Sequence, residues 1–228
     1  MCNCPKRRTV AIASKKKTTM IKRLCCILLL AWAATTHGQD VACTSTVPLA
    51  RQHRTNVKHR APGPAETQVQ RARIAQVLVW AAPTNMDTPK SRKIDQPFPP
   101  RELKLYTTEG DLWRAKIEDN DCDFHLEVTA HGGTKTASRI IVEIPQGDPF
   151  LPAREKLIET LAANGYEISH TKPIDLEEPL RVIVTGFAFY DSAHWSTKNP
   201  KKGHGHGTKY VGTLWELHPV WKIEFPDE

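Results

Sequence analysis

Between Arg101 and Phe225 apolar residues recur at every second position in a series of short runs, and at helical spacing in only one. Strand side chains alternate between two faces, so each run has one face that must be buried against other strands. Residues 103–106 read as a strand, Glu109-Gly110-Asp111 as a turn, and residues 112–117 as a strand with Trp113, Ala115 and Ile117 inward. Residues 123–128 put Phe124, Leu126 and Val128 on one face, His131-Gly132-Gly133 turns the chain, and residues 140–144 make the next strand, ended by Pro145. Pro152 in a first turn, a stripe of Leu157, Ile158 and Leu161, and Asn164-Gly165 as a stop predict the single helix. Residues 180–190 and 213–225 are the last two strands, joined by a long loop.

The predicted fold is mainly β with one helix. Three strands, one helix and two strands fit a five-stranded barrel of the oligonucleotide/oligosaccharide-binding (OB) type, with the loop between its last two strands in a usual ligand-binding position. Gly186 suits the bend that a small barrel needs. A mixed α+β sheet with one packed helix is the alternative.

Residues 1–38 read as a signal peptide: Lys22-Arg23, an apolar run over 24–34, then small residues up to Gly38. Met20 is an alternative start, the stretch before it being an over-extension. The run is too short to span a bilayer, which takes about 20 residues, so the mature chain is expected to be exported, periplasmic or extracellular, without a transmembrane segment. Residues 39–100 read as a basic, Pro-containing flexible tail and connector, in which residues 75–80 are a short strand or docked edge, and residues 101–228 as the β domain.

The net charge of +7 suggests a nucleic-acid binder, but its distribution does not: residues 1–75 hold 14 Lys/Arg against 2 Asp/Glu, residues 76–228 hold 18 against 23. Cys43 and Cys122 are the cysteines outside the leader. Export permits a bridge, yet Cys43 lies in a segment read as mobile, which favours two unpaired thiols.

Four stretches, "DCDFHLEV", "IVEIP", "RVIVTGFAFYDSAHW" and "WELHPVWKI", occur in this order. Together they resemble a family of small, mostly bacterial, uncharacterised secreted domains with the pattern Asp-x-Asp-x-His-Leu, Glu-x-Pro, Thr-Gly-x-x-Phe-x-Asp and Glu-x-His-Pro-Val. The resemblance covers residues 101–225 and implies no activity. The strand order also resembles staphylococcal-nuclease-like domains, whose catalytic arginine and acidic set find no match here.

Asp123 and His125 share a strand face by their spacing, as do Glu216 and His218. These four are the candidate catalytic residues. His125, Asp123, Asp191, His194 and His218 are the candidate ligands of a divalent metal, the one cofactor such a cluster suggests. The competing reading is a polar outer face with satisfied hydrogen bonds. Asp119-Asn120-Asp121 starts no EF-hand, since Phe124 and Ala130 stand where glycine and glutamate are needed. In the loop, His204-Gly205-His206 suits copper, nickel or zinc, while Trp195, Lys201, Lys202, Lys209 and Tyr210 suit a polyanion (nucleic acid, acidic glycan or cell-envelope polymer) or a carbohydrate. A solvated flexible loop is the plainer reading. The leading expectation is an OB-like ligand-binding domain, the second a metal-dependent hydrolase of the phosphodiesterase or nuclease kind.

Overall fold

The computed structural model describes residues 42–61, 68–84, 86 and 93–226; the predicted signal peptide lies outside them. One six-stranded sheet carries the fold: β1 (Val69–Arg71), β2 (Leu105–Ile117), β3 (Phe124–Ala130), β4 (Arg139–Ile144), β5 (Ile174–Tyr190) and β6 (Val211–Glu224). The order is β1-β2-β3-β4-β6-β5, and β5 pairs back onto β2, so β2 to β6 form a ring. β4 and β6 run parallel, as do β1 and β2; the other pairs are antiparallel. Short helices α1 (Thr55–Lys58) and α2 (Ile74–Val77) precede the ring strands, and the main helix, α3 (Leu151–Ala163), connects β4 to β5.

The core follows the alternation. Phe124, Leu126 and Val128 face inward with Val142, Ile144, Leu217 and Val220, and α3 adds Leu157 and Leu161. Several local expectations are corrected. Glu109-Gly110-Asp111 is not a turn but the middle of β2, because both carboxylates find partners across the sheet: Glu109 pairs with Arg71 and Arg181, and Asp111 accepts from the Gly132 amide. A bulge between Leu112 and Arg114 shifts the phase. Leu112 and Ala115 therefore enter the core, while Trp113 turns away and donates to Thr129. Residues 75–80 form no strand; α2, begun at Ile74, ends within them, with the Gln76 side chain accepting from the Arg73 amide. Gly186 is needed for a close approach: a Cβ would stand 2.5 Å from the Pro219 carbonyl oxygen on β6.

Residues 42–61 are not a loose tail. The amides of Thr46 and Val47 donate to the carbonyls of Asp119 and Asn120, and Val57 is buried. Arg54 makes a two-pronged ion pair with Glu102, at 2.8 and 2.6 Å, and the Arg54 guanidinium also donates to the carbonyls of Ile94, Gln96 and Tyr190. Composition missed these partners because they lie far along the chain. With the segment docked, Cys43 is held beside Cys122 and the two are bonded, contrary to the expectation of free thiols.

The bridge spans a sequence separation of 79, and closing a loop of that length removes unfolded-state entropy worth about 4 kcal/mol. Cys122→Ser is expected to lower the unfolding free energy by a comparable amount, read as a lower urea midpoint at unchanged slope, and reductant is expected to do the same to the unsubstituted protein. A midpoint insensitive to both contradicts the docked segment.

Candidate functional site

The outer face of β3, β4 and β6 is polar but not wet. His125 and Glu143 are cross-strand partners, and Glu216 of β6 lies opposite Ile141 of β4. Glu127 and His218 have no exposed surface, and Glu216 retains 2%. The face is covered by the β5–β6 connection, the β2–β3 turn and the docked N-terminal segment. Between them lies a cavity of about 260 Å³.

The connection is shaped by Gly203-His204-Gly205-His206-Gly207. All three glycines have positive φ, at 63°, 66° and 68°, a region that other residues occupy only with strain. The turns leave His204 exposed and drive His206 into the face. Thr208 anchors the end, its amide and hydroxyl both donating to Glu127, which also holds Arg139 at 2.9 Å.

His206 Nε2 lies 2.6 Å from Glu216 Oε1 and 3.6 Å from Asp191 Oδ2, and His194 Nδ1 lies 2.5 Å from the same Asp191 oxygen. Asp191, His206 and Glu216 offer ligand atoms within 4.8 Å of one another. Beside them Glu118, His125 and Glu143 form a second such group: His125 Nδ1 is 3.0 Å from Glu143 and 3.2 Å from Glu118. A third group, Asp123, Glu143 and His218, sits behind the wall. Asp123 and His218 are fully buried and do not line the cavity. His218 Nδ1 reaches Glu143 at 2.7 Å and Glu216 at 3.4 Å, so it braces two carboxylates that do line it. His218 Nε2 and Asp123 Oδ2 are 3.1 Å apart yet not aligned to bond, so among the described residues both atoms lack a hydrogen-bond partner, as does His206 Nδ1.

Five carboxylates line the cavity, those of Glu118, Asp121, Glu143, Asp191 and Glu216, against the lysines Lys58 and Lys116. The titration of the histidines answers to that excess. Burial by itself lowers the His125 pKa, but Glu127 and Glu143 outweigh it and raise the value to about 9. His218 is likewise raised against its burial, chiefly by Glu143, and His194 is raised by its bond to Asp191. Burial pushes Glu127 up, and His125 and Thr208 bring it down to about 2. Burial and the neighbouring Asp123 push Asp121 up. The carboxylates thus favour the charged form of the imidazoles set among them.

Of the predicted residues, His125, Asp191, His194 and Glu216 meet at the cavity, with Asp123 and His218 directly behind it. The loop residues stand elsewhere. Lys201, Lys202 and Lys209 are exposed, Trp195 packs partly against the core, and the Tyr210 ring lies between Lys209 at 5.2 Å and Arg139 at 4.9 Å. Lys201 lines a different cavity, with Trp80, Tyr190 and Trp215. His206 was legible only as part of a histidine-glycine run, and Glu118 and Lys58 carried no signal that placed them here.

No protein-family model, no curated protein and no solved structure matches this chain.

Proposed function

We propose that this chain is an exported, OB-type barrel domain that holds a divalent cation and uses it to hydrolyse a phosphodiester-type bond. The observation that carries the reading is the meeting of Asp191, His206 and Glu216 within 4.8 Å at a cavity wall. An imidazole and two carboxylates suit a borderline ion such as Zn²⁺ or Mn²⁺. Three protein ligands at an open pocket leave coordination positions for water and substrate, the arrangement of catalytic rather than structural ions. His194, with its side chain 39% exposed and bonded to Asp191, is placed to exchange protons with solvent.

The OB assignment is supported by five ring strands closing on themselves, and by the position of the pocket. It lies on β3 and β4, between the β2–β3 and β5–β6 connections, where OB domains hold their ligands. That analogy locates a ligand and says nothing of the chemistry. A polyanion bound without metal is the weaker reading, because the cavity carboxylates oppose an anion until a cation offsets them; for a carbohydrate, no stacking residue among the described ones lines this cavity, Trp195 and Tyr210 standing outside it. Among the described residues no helix is long and apolar enough to cross a membrane.

Protein purified without chelator is expected to carry about one equivalent of a divalent metal per chain. It is expected to cleave bis(4-nitrophenyl) phosphate, to lose that activity to chelation and to regain it with added cation. Absence of both metal and cleavage ends the proposal.

A further inference from the structure

We infer that Lys58 holds the anionic oxygen of the substrate at this site, which makes the substrate class one with a phosphoryl oxyanion rather than a neutral glycoside or peptide. The inference rests on the metal-centre reading and adds to it a residue from outside the ring.

Lys58 ends α1, and its side chain, 14% exposed, reaches the cavity that Asp191, His206 and Glu216 line. Among the described residues its ammonium makes one hydrogen bond, to Asp121 at 3.2 Å, and an ion pair with Glu143 at 3.9 Å. An ammonium has three donors, so donors remain for a ligand. Lys116, the other cavity lysine, is held 2.5 Å from Glu118.

Where the fold only needs to neutralise a buried carboxylate it uses arginine at short range, as in Arg54 with Glu102 and Arg139 with Glu127. Arginine's rigid fork suits closed pairs, while a lysine is a mobile point charge. Carboxylates around Lys58 keep it charged, while only one of its three donors is used in a hydrogen bond among the described residues, so a ligand oxygen can be added without displacing a partner. The segment carrying it is fastened by the Cys43–Cys122 bond at one end and by Arg54 four residues before Lys58, so the ammonium arrives at a fixed place. Beside a bound cation, one ammonium and one metal ion can share the charge of a phosphoryl group.

A neutraliser and an anion holder predict opposite results. The test measures Zn²⁺ or Mn²⁺ uptake, and then inorganic phosphate binding to metal-loaded protein by calorimetry, for the unsubstituted chain, Lys58→Met and Lys58→Arg. Lys58→Gln is read alongside, so that a folding defect in Lys58→Met does not decide the matter. Lys58→Met and Lys58→Gln are expected to bind phosphate about tenfold more weakly or worse, the loss of one charged hydrogen bond. Their metal affinity is expected to be equal or higher, because a neighbouring cation has been removed. Lys58→Arg is expected to retain most phosphate affinity. Unchanged phosphate binding in the metal-loaded neutral variants overturns the assignment of Lys58 alone, as does loss of metal in both. Absence of metal from the unsubstituted chain overturns the hydrolase reading as well, and the metal analysis tells the two failures apart.

Discussion

His206→Ala is expected to empty the metal centre and take phosphodiester cleavage with it. His206 Nε2 stands between Glu216 and Asp191, and it is the nitrogen donor of that triad. Alanine leaves two carboxylates facing each other, which weakens divalent binding and adds repulsion. The loss should exceed the roughly 10–100-fold in affinity or activity that removing an outer partner of a metal ligand costs. His204→Ala, changing the exposed histidine of the same run, is expected to leave metal content and activity intact. Equal metal content in the His206→Ala and unsubstituted proteins contradicts the site. Equal damage from the two substitutions points to the loop as a whole rather than to one ligand.

Glu102→Gln is expected to cost about 3–5 kcal/mol in stability, the range for stranding one partner of a buried ion pair. Glu102 is fully buried and accepts from Arg54 and from the amides of Phe98 and Tyr190. Arg54 is packed over the Phe98 ring at 4.1 Å and the Phe189 ring at 4.9 Å. An amide keeps the shape and removes the charge, so the guanidinium stays in place without its counter-ion. The double change Arg54→Met with Glu102→Leu is expected to recover a large part of the loss, since apolar replacement of a whole buried pair is often neutral or better. Chemical denaturation of the single and double variants decides this. Near-additive destabilisation would show that the bonds to Ile94, Gln96 and Tyr190 matter more than the charge.

The parts of this fold legible in the sequence are those governed by neighbours two to four residues away. Phe124, Leu126 and Val128 announced their face by alternation, and with it the opposite face of His125. Glu216 and His218 were placed on one side of their strand by the same rule. What failed depended on distant partners. Glu109 and Asp111 look like turn residues until Arg181 and Gly132 are seen across the sheet. Arg54 and Lys58 look like tail residues until Glu102 and Asp121 close over them. His206 lies in a glycine-rich stretch whose composition suggests mobility. Its glycines are there for their sign of φ, which a composition does not reveal.

β6 is the final strand of the sheet, and it lies between β4 and β5. It also supplies Glu216 and His218. Until β6 has been synthesised the chain therefore has neither a closed ring nor the side chains of Glu216 and His218. On the proposed reading no cation can be loaded in advance. On that same reading the free-ion levels where β6 joins the ring, rather than affinity alone, select the ion that is bound.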